Sequence, residues 1–155
     1  MERVLDAHGR TVSAAHVVRP FSIESPFGGL DFTLLLDVRD PAVTSDERNA
    51  LSDRIVAIGC RLAAIRGFEC SAWDDSIDWA NLEQFGFARI PPDRFVRTSW
   101  HTDESLEEVV DFVAQCGYAN AVTPTRFLVV GLGGGAADYE DCKARATVRF
   151  SLAFA

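Results

Sequence analysis

Phe32-Thr33-Leu34-Leu35-Leu36-Asp37 leads into Thr44-Ser45-Asp46-Glu47, and these two runs decide how the chain reads. The first is a short apolar run closed by a charged residue, the pattern of a strand covered on both faces. The second is a capping box, in which the Thr44 hydroxyl can accept the Glu47 amide while the Glu47 side chain reaches back. Leu51, Ile55 and Ile58 then recur at i, i+4 and i+7, one apolar stripe, and Gly59 stands where a left-handed residue ends a helix.

The same alternation repeats along the chain. Cys60 to Ile65 reads as a second strand with Arg66-Gly67 at its exit, and Ser71-Ala72-Trp73-Asp74 as the start of a helix over about 72–84, with Trp73, Ile77 and Ala80 on one face. Ile90-Pro91-Pro92-Asp93 is a break, because consecutive prolines deny the backbone two donors. Phe95 to Trp100 reads as the third strand. Ser105 and Glu108 box the start of a third helix, with Leu106, Val109, Val110 and Val113 inward and Gly117 at its end. Phe127 to Val130 is a wholly apolar fourth strand. Ala146, Val148, Phe150, Leu152 and Phe154 alternate with Thr147, Arg149, Ser151 and Ala153, which predicts a last strand lying antiparallel at an edge.

Strands separated by helices imply parallel pairing with right-handed crossovers. The expected fold is therefore α/β: a three-layer sandwich on a mostly parallel sheet of about five strands with an antiparallel C-terminal edge strand. One domain over 1–155 is expected, with residues 1–30 as an N-terminal extension that holds a short hairpin around His8-Gly9-Arg10.

Composition narrows the classes of function. With 15 Lys and Arg against 23 Asp and Glu, the net charge of −8 opposes nucleic acid and anionic membranes, whose binding needs clustered bases. No apolar run approaches the ~20 residues of a spanning helix, and the first residues lack a secretory core, so a cytoplasmic setting is expected. Cys60, Cys70, Cys116 and Cys142 form no C-x-x-C pair and are expected as free thiols, mostly small buried hydrophobes.

Ligands of open α/β sheets bind beyond the carboxyl ends of the strands. That rule selects Asp37-Val38-Arg39-Asp40, Arg66 to Cys70, Trp100 to Glu104 and Gly131 to Gly135. Candidate catalytic residues are His101, as a base oriented by Asp103, and Cys70, whose thiolate a helix start would favour. The acids around Cys70 oppose that thiolate. Candidate binding residues are Arg66, whose fork suits an anion or a neighbouring acid, together with Asp37, Asp74 and Trp100. Asp103 and Glu104 also suit a helix N-terminus on electrostatic grounds alone. Trp73 is expected in the core and Trp79 half-exposed. The glycine run 131–136 has the spacing of a dinucleotide loop but lacks the following strand and distant acid, so a flexible connection is the expectation.

Gly59-Cys60-Arg61, Gly67-x-x-Cys70-x-x-Trp73-Asp74-Asp75-Ser76, Ile77-Asp78-Trp79 and Trp100-His101-x-Asp103-Glu104-x-Leu106-x-Glu108 together resemble a bacterial domain family of unknown function. The resemblance spans roughly 32–132 and implies no assigned activity, so no residue acquires a role from it.

Two expectations follow. The first is a small acidic binding or regulatory protein, immunity-like, whose segments 69–83 and 103–111 dock a basic protein partner. The alternative is a hydrolase or transferase, with or without a metal, using His101 with Asp103, Asp37 and Asp74 and holding an anionic substrate on Arg66. Cofactor and metal are left open. A homodimer through the exposed edge of the last strand is a further expectation.

Overall fold

The computed structural model describes all 155 residues. Six strands, β1 (Glu2–Ala7), β2 (Arg10–Val17), β3 (Phe32–Val38), β4 (Cys60–Gly67), β5 (Arg97–His101) and β6 (Arg126–Leu132), form one sheet in the order β1-β2-β6-β3-β4-β5. Helices α1 (Ser45–Ala57) and α2 (Cys70–Gln84) cover one face; α3 (Leu106–Gln115) and α4 (Ala136–Phe154) cover the other. The fold is the expected α/β class, with six strands rather than about five.

All seven residues of β3 are buried, which is why its sequence shows no polar alternation. Leu34 and Leu36 enter the core beneath α1 and α2, whereas Leu35 enters the core beneath α3 and α4. Both boxed helices form as read. Thr44 accepts from the Glu47 amide at 3.1 Å, and Ser105 accepts from the Glu108 amide at 3.1 Å. Gly59 follows α1 at φ +110°, a left-handed exit open to glycine.

The C-terminal edge strand is not there. Residues 136–154 form a 19-residue helix, and Cys142, Ala146, Phe150 and Phe154, four apart, are its buried side. Val148 and Leu152, which the two-residue alternation counted with them, are 62% and 63% exposed. Alternation at every second position contains a four-residue period within it, and a chain with no Gly or Pro after Gly135 takes the helical one. The dimer edge expected on a last strand goes with it.

The antiparallel edge lies at the other end of the chain. His8 and Gly9, at φ 54° and 74°, make the left-handed two-residue turn that matches strand twist, so β1 pairs antiparallel with β2. The hairpin expected in the first 30 residues forms, and its second strand is interior, parallel to β6 from Thr11↔Arg126 to Val17↔Leu132.

α2 starts at Cys70, two residues earlier than read. Its cap is Glu69 in the left-handed region at φ 52°, with no side-chain cap, so Ser71 does not cap it. The turn before it demands Gly67, because at φ +93° an added Cβ would lie 2.1 Å from the Val38 carbonyl oxygen. β5 begins at Arg97 rather than Phe95.

Candidate functional site

The parallel strands end together, and their register aligns one residue from each: His16↔Gly131, Gly131↔Asp37, Asp37↔Arg66 and Arg66↔His101. A row in register presents its side chains to one face, here the α3 and α4 side. The Asp37 carboxylate is wholly buried, accepting from Arg39 Nε at 2.9 Å and from an Arg66 guanidinium nitrogen at 3.1 Å. The Cys142 thiol of α4 lies against it; burial first, and then the Asp37 charge, push that thiol up to about 12. At the near end Tyr139 stacks on His16 with ring centres 5.0 Å apart, over Gly131, where a Cβ would meet the Tyr139 ring at 3.1 Å.

His101 closes the far end. Its Nδ1 lies 2.9 Å from Glu104 Oε1, its Nε2 lies 2.9 Å from Ser99 Oγ, and Phe112 of α3 meets the ring edgewise at 4.9 Å. The row is thus a polar layer in which Asp37 and Arg66 pair with each other while His16 and His101 bond to flanking residues, and the buried Arg66 Nε is left without a partner. The glycine run does more than connect: Gly133 and Gly134 turn at φ +72° against Asp40 and Arg39, and the Gly135 amide donates to Asp138 Oδ2 at 3.3 Å as α4 begins.

The structure joins Asp37 to Arg66 and places His101 next in register, but it separates the other candidates. Cys70 is buried in the core under α1 and α2, on the opposite face from the His101 ring. Asp103 is exposed and in no ion pair. Trp100 is 52% exposed and sits in register with Ile65, hence on the α2 side. Asp74 belongs to α2, one turn before Asp78. No three His, Cys, Asp or Glu side chains are grouped as metal ligands would be.

A second region is built by α2 and β5. Trp73, Ile77 and Ala80 turn α2 into the core, which leaves Asp75, Asp78, Trp79, Leu82 and Glu83 exposed. Asn81 continues the inward face. It accepts the Val96 amide at 2.9 Å and donates to the Arg94 carbonyl at 3.2 Å, pinning the entry to β5 against the helix. Between them runs a groove of about 390 Å³ bordered by Asp78, Leu82, Ile90, Phe95 and Thr98. Trp79 and Phe87 meet edge to face at 5.1 Å outside it, 58% and 56% exposed.

The charges here are uncompensated. Asp74, Asp75, Asp78 and Glu83 make no salt bridge, while Glu69 meets Arg48, Glu107 meets Arg145 and Asp111 meets Arg149. Asp78 Oδ1 accepts the Thr98 hydroxyl at 2.7 Å, and Asp74, only 5% exposed, has its Oδ1 buried without a partner. Burial above all raises the Asp74 carboxyl from its ordinary value against the pull of the Thr98 hydroxyl, and the charges of Asp78 and Asp75 raise it further. Asp78 is raised likewise, by burial first and then, against the same hydroxyl, by Asp75. Sequence reading singled out the α2 acids but missed the groove, because Leu82, Ile90 and Phe95 carry no periodic pattern. The usable signal was Asn81, a polar residue at i+4 from Ile77 on an apolar face.

No helix is long and apolar enough to cross a membrane. Comparison with curated proteins and with solved structures returns no match. A family model described as "Domain of unknown function (DUF7684)" matches residues 11–146, from β2 through the first half of α4. The chain belongs to that family, and its match takes in the interior strand β2 and the glycine run that the sequence resemblance left out.

Proposed function

We propose that the protein is an acidic binding or regulatory domain that docks a basic segment of a partner protein on the face built by α2 and β5. The observation that carries this reading is the set of α2 carboxylates without a basic partner beside exposed Trp79, Phe87 and Phe95 and an apolar groove. Carboxylates at the rim steer a cationic partner, and aromatic side chains supply contact area at low entropic cost. The 103–111 segment adds less than its composition suggests, since Glu107 and Asp111 are occupied by Arg145 and Arg149.

The hydrolase or transferase alternative has weaker support. Asp37 and His101 share the polar row on either side of Arg66, but Asp103 and Asp74 lie away from it, and both oxygens of the Asp37 carboxylate already accept from arginines. Titration of the isotopically labelled protein with a Lys-rich peptide, followed by amide chemical shifts, tests the docking face. Shifts concentrated on α2 and β5 are expected, and loss of them in the Asp75→Asn, Asp78→Asn, Glu83→Gln variant. Equal loss in a variant neutralised at Glu24, Asp46 and Asp103, which has the same net charge, would reduce the effect to bulk charge and overturn the reading.

A further inference from the structure

β5 is an open sheet edge beside this face. The strand is last in the sheet order, and no backbone hydrogen bond joins Arg97–His101 to any segment other than β4. In a parallel pair only alternate residues bond to the neighbour, so the remaining amides and carbonyls of β5 point outward with no partner in the chain.

The opposite edge is protected. β1 carries a register shift between Arg3 and Leu5, displays Glu2, Arg3 and Asp6, and is tied to α4 by the Glu2–Lys143 ion pair. Bulges and charges are how sheet edges resist pairing. β5 keeps regular register with β4 across all five residues, from Leu62↔Arg97 to Arg66↔His101, and after a single exposed charge at Arg97 shows Thr98, Ser99 and Trp100.

Side-chain alternation tells what would fit there. Thr98 and Trp100 are in register with Ala63 and Ile65, which belong to the α2-side core, while Arg97 pairs with Leu62 of the α3-side core. A strand laid about 4.8 Å beyond β5 would therefore send alternate side chains toward Asp78, Leu82 and Phe95, and the others toward the α3 side. The first set meets Asp78 and a largely apolar groove; Arg97, at the start of β5, borders that groove and the α3 side alike.

We propose, resting on the docking face above, that its occupant is an extended basic segment that adds to β5 as a seventh strand, a Lys or Arg side chain reaching the exposed Asp78 and a neighbouring apolar side chain entering the groove. A second copy of this chain fits poorly. Two β5 edges paired antiparallel about a two-fold axis would bring the α2 helices to the same side of the joined sheet, with Asp78, the α2 acid that borders the groove, facing its own kind. Main-chain bonds supply affinity in such strand addition, and the alternating contacts supply specificity.

The test uses the full chain and a synthetic peptide of about nine residues that alternates Lys or Val with Ser or Thr, beside the same peptide N-methylated at alternate residues. N-methylation removes main-chain donors and keeps every charge. We expect it to weaken binding about tenfold or more, and the parent peptide to slow hydrogen exchange at the amides of 97–101, with Asp78→Asn weakening the parent by a comparable factor. If α2 resonances still shift but N-methylation has no effect and 97–101 exchange as before, strand addition is overturned while the docking face stands. If neither peptide shifts α2, the docking face itself fails. A stable dimer in light scattering that blocks the peptide and persists in Asp78→Asn would assign the edge to a second copy.

Discussion

α2 and α3 are both acidic helices packed on a sheet face by fully buried inner sides, and they differ in what stands next to them. α3 lies beside α4, which offers Arg145 and Arg149 four residues apart, and each arginine takes one α3 carboxylate in a two-pronged contact. α2 lies beside α1, whose arginines are turned elsewhere: Arg48 to Glu69 and Arg54 to the Ile23 carbonyl. Like sequences of charge thus give one helix with two of its three carboxylates paired to arginine and another that faces outward with its charge intact. The lesson is that an acidic composition becomes a docking surface only where the fold withholds the counterion.

The largest expected effects should leave this contrast untouched. Trp73→Ala under α2 and Phe150→Ala under α4 each empty a fully buried site and should cost ~3–5 kcal/mol in urea unfolding. A markedly smaller loss for Trp73→Ala would mean that α2 is held less firmly than α3 and α4, and the difference between the faces would then be one of order, not charge.

Asn81→Ala should cost ~1–3 kcal/mol, since it strands the buried Val96 amide, and it should loosen only the α2 side. Hydrogen exchange should quicken at 94–98 and stay unchanged along α3. Exchange quickening equally on both faces would show that the groove wall and the sheet open together.

Removing single charges should separate the helices by sign. Asp74→Asn removes a raised, buried carboxylate and should increase the melting temperature at pH 7 by about 2–4 °C, the shift that ~1 kcal/mol gives a domain of this size. Glu107→Gln should lower stability by ~0.5–1 kcal/mol at pH 7, the range of a largely solvent-screened pair.

Acid should act on the two helices in opposite directions. The Arg145 guanidinium beside Glu107 holds its carboxyl down at about 2 against an ordinary 4.5, so its contribution is complete above 4.5 and fades as pH falls toward 2. Asp74 is raised above 3.8, so its folded-state penalty grows as pH climbs from 3.8 through the raised value and is absent below 3.8. The Asp74→Asn gain should therefore vanish at pH 3, and the Glu107→Gln loss should shrink from pH 4.5 downward. Parallel pH dependence in the two variants would break the comparison.

Much of the fold was legible because local chemistry and global position agree. The boxes at Thr44 and Ser105 announce their helices, and the unbroken apolar run of β3 announces a strand with both faces covered. α4 was misread because Phe150 and Phe154 satisfy both a two-residue and a four-residue period, and only the exposure of Val148 and Leu152 decides between them. Of the candidate site, the Asp37–Arg66 pair could be anticipated as neighbours on adjacent strands. The partition of Cys70 and His101 to opposite faces could not, since it depends on where α2 begins. The open edge at β5 was invisible for a similar reason: strand order is a property of crossovers, not of any strand's own residues.

β2 is synthesised well before its parallel partner β6, which lies more than a hundred residues downstream and is also the strand that separates it from β3. A nascent chain on the ribosome can complete β3, β4, β5 and their helices while the amino-terminal hairpin waits unattached. Such long-range closure slows folding and exposes strand edges while it is pending. The late arrival of Arg126–Leu132 is therefore the step that turns two fragments into a continuous sheet, and a chain cut short before it would be left with two unsealed halves.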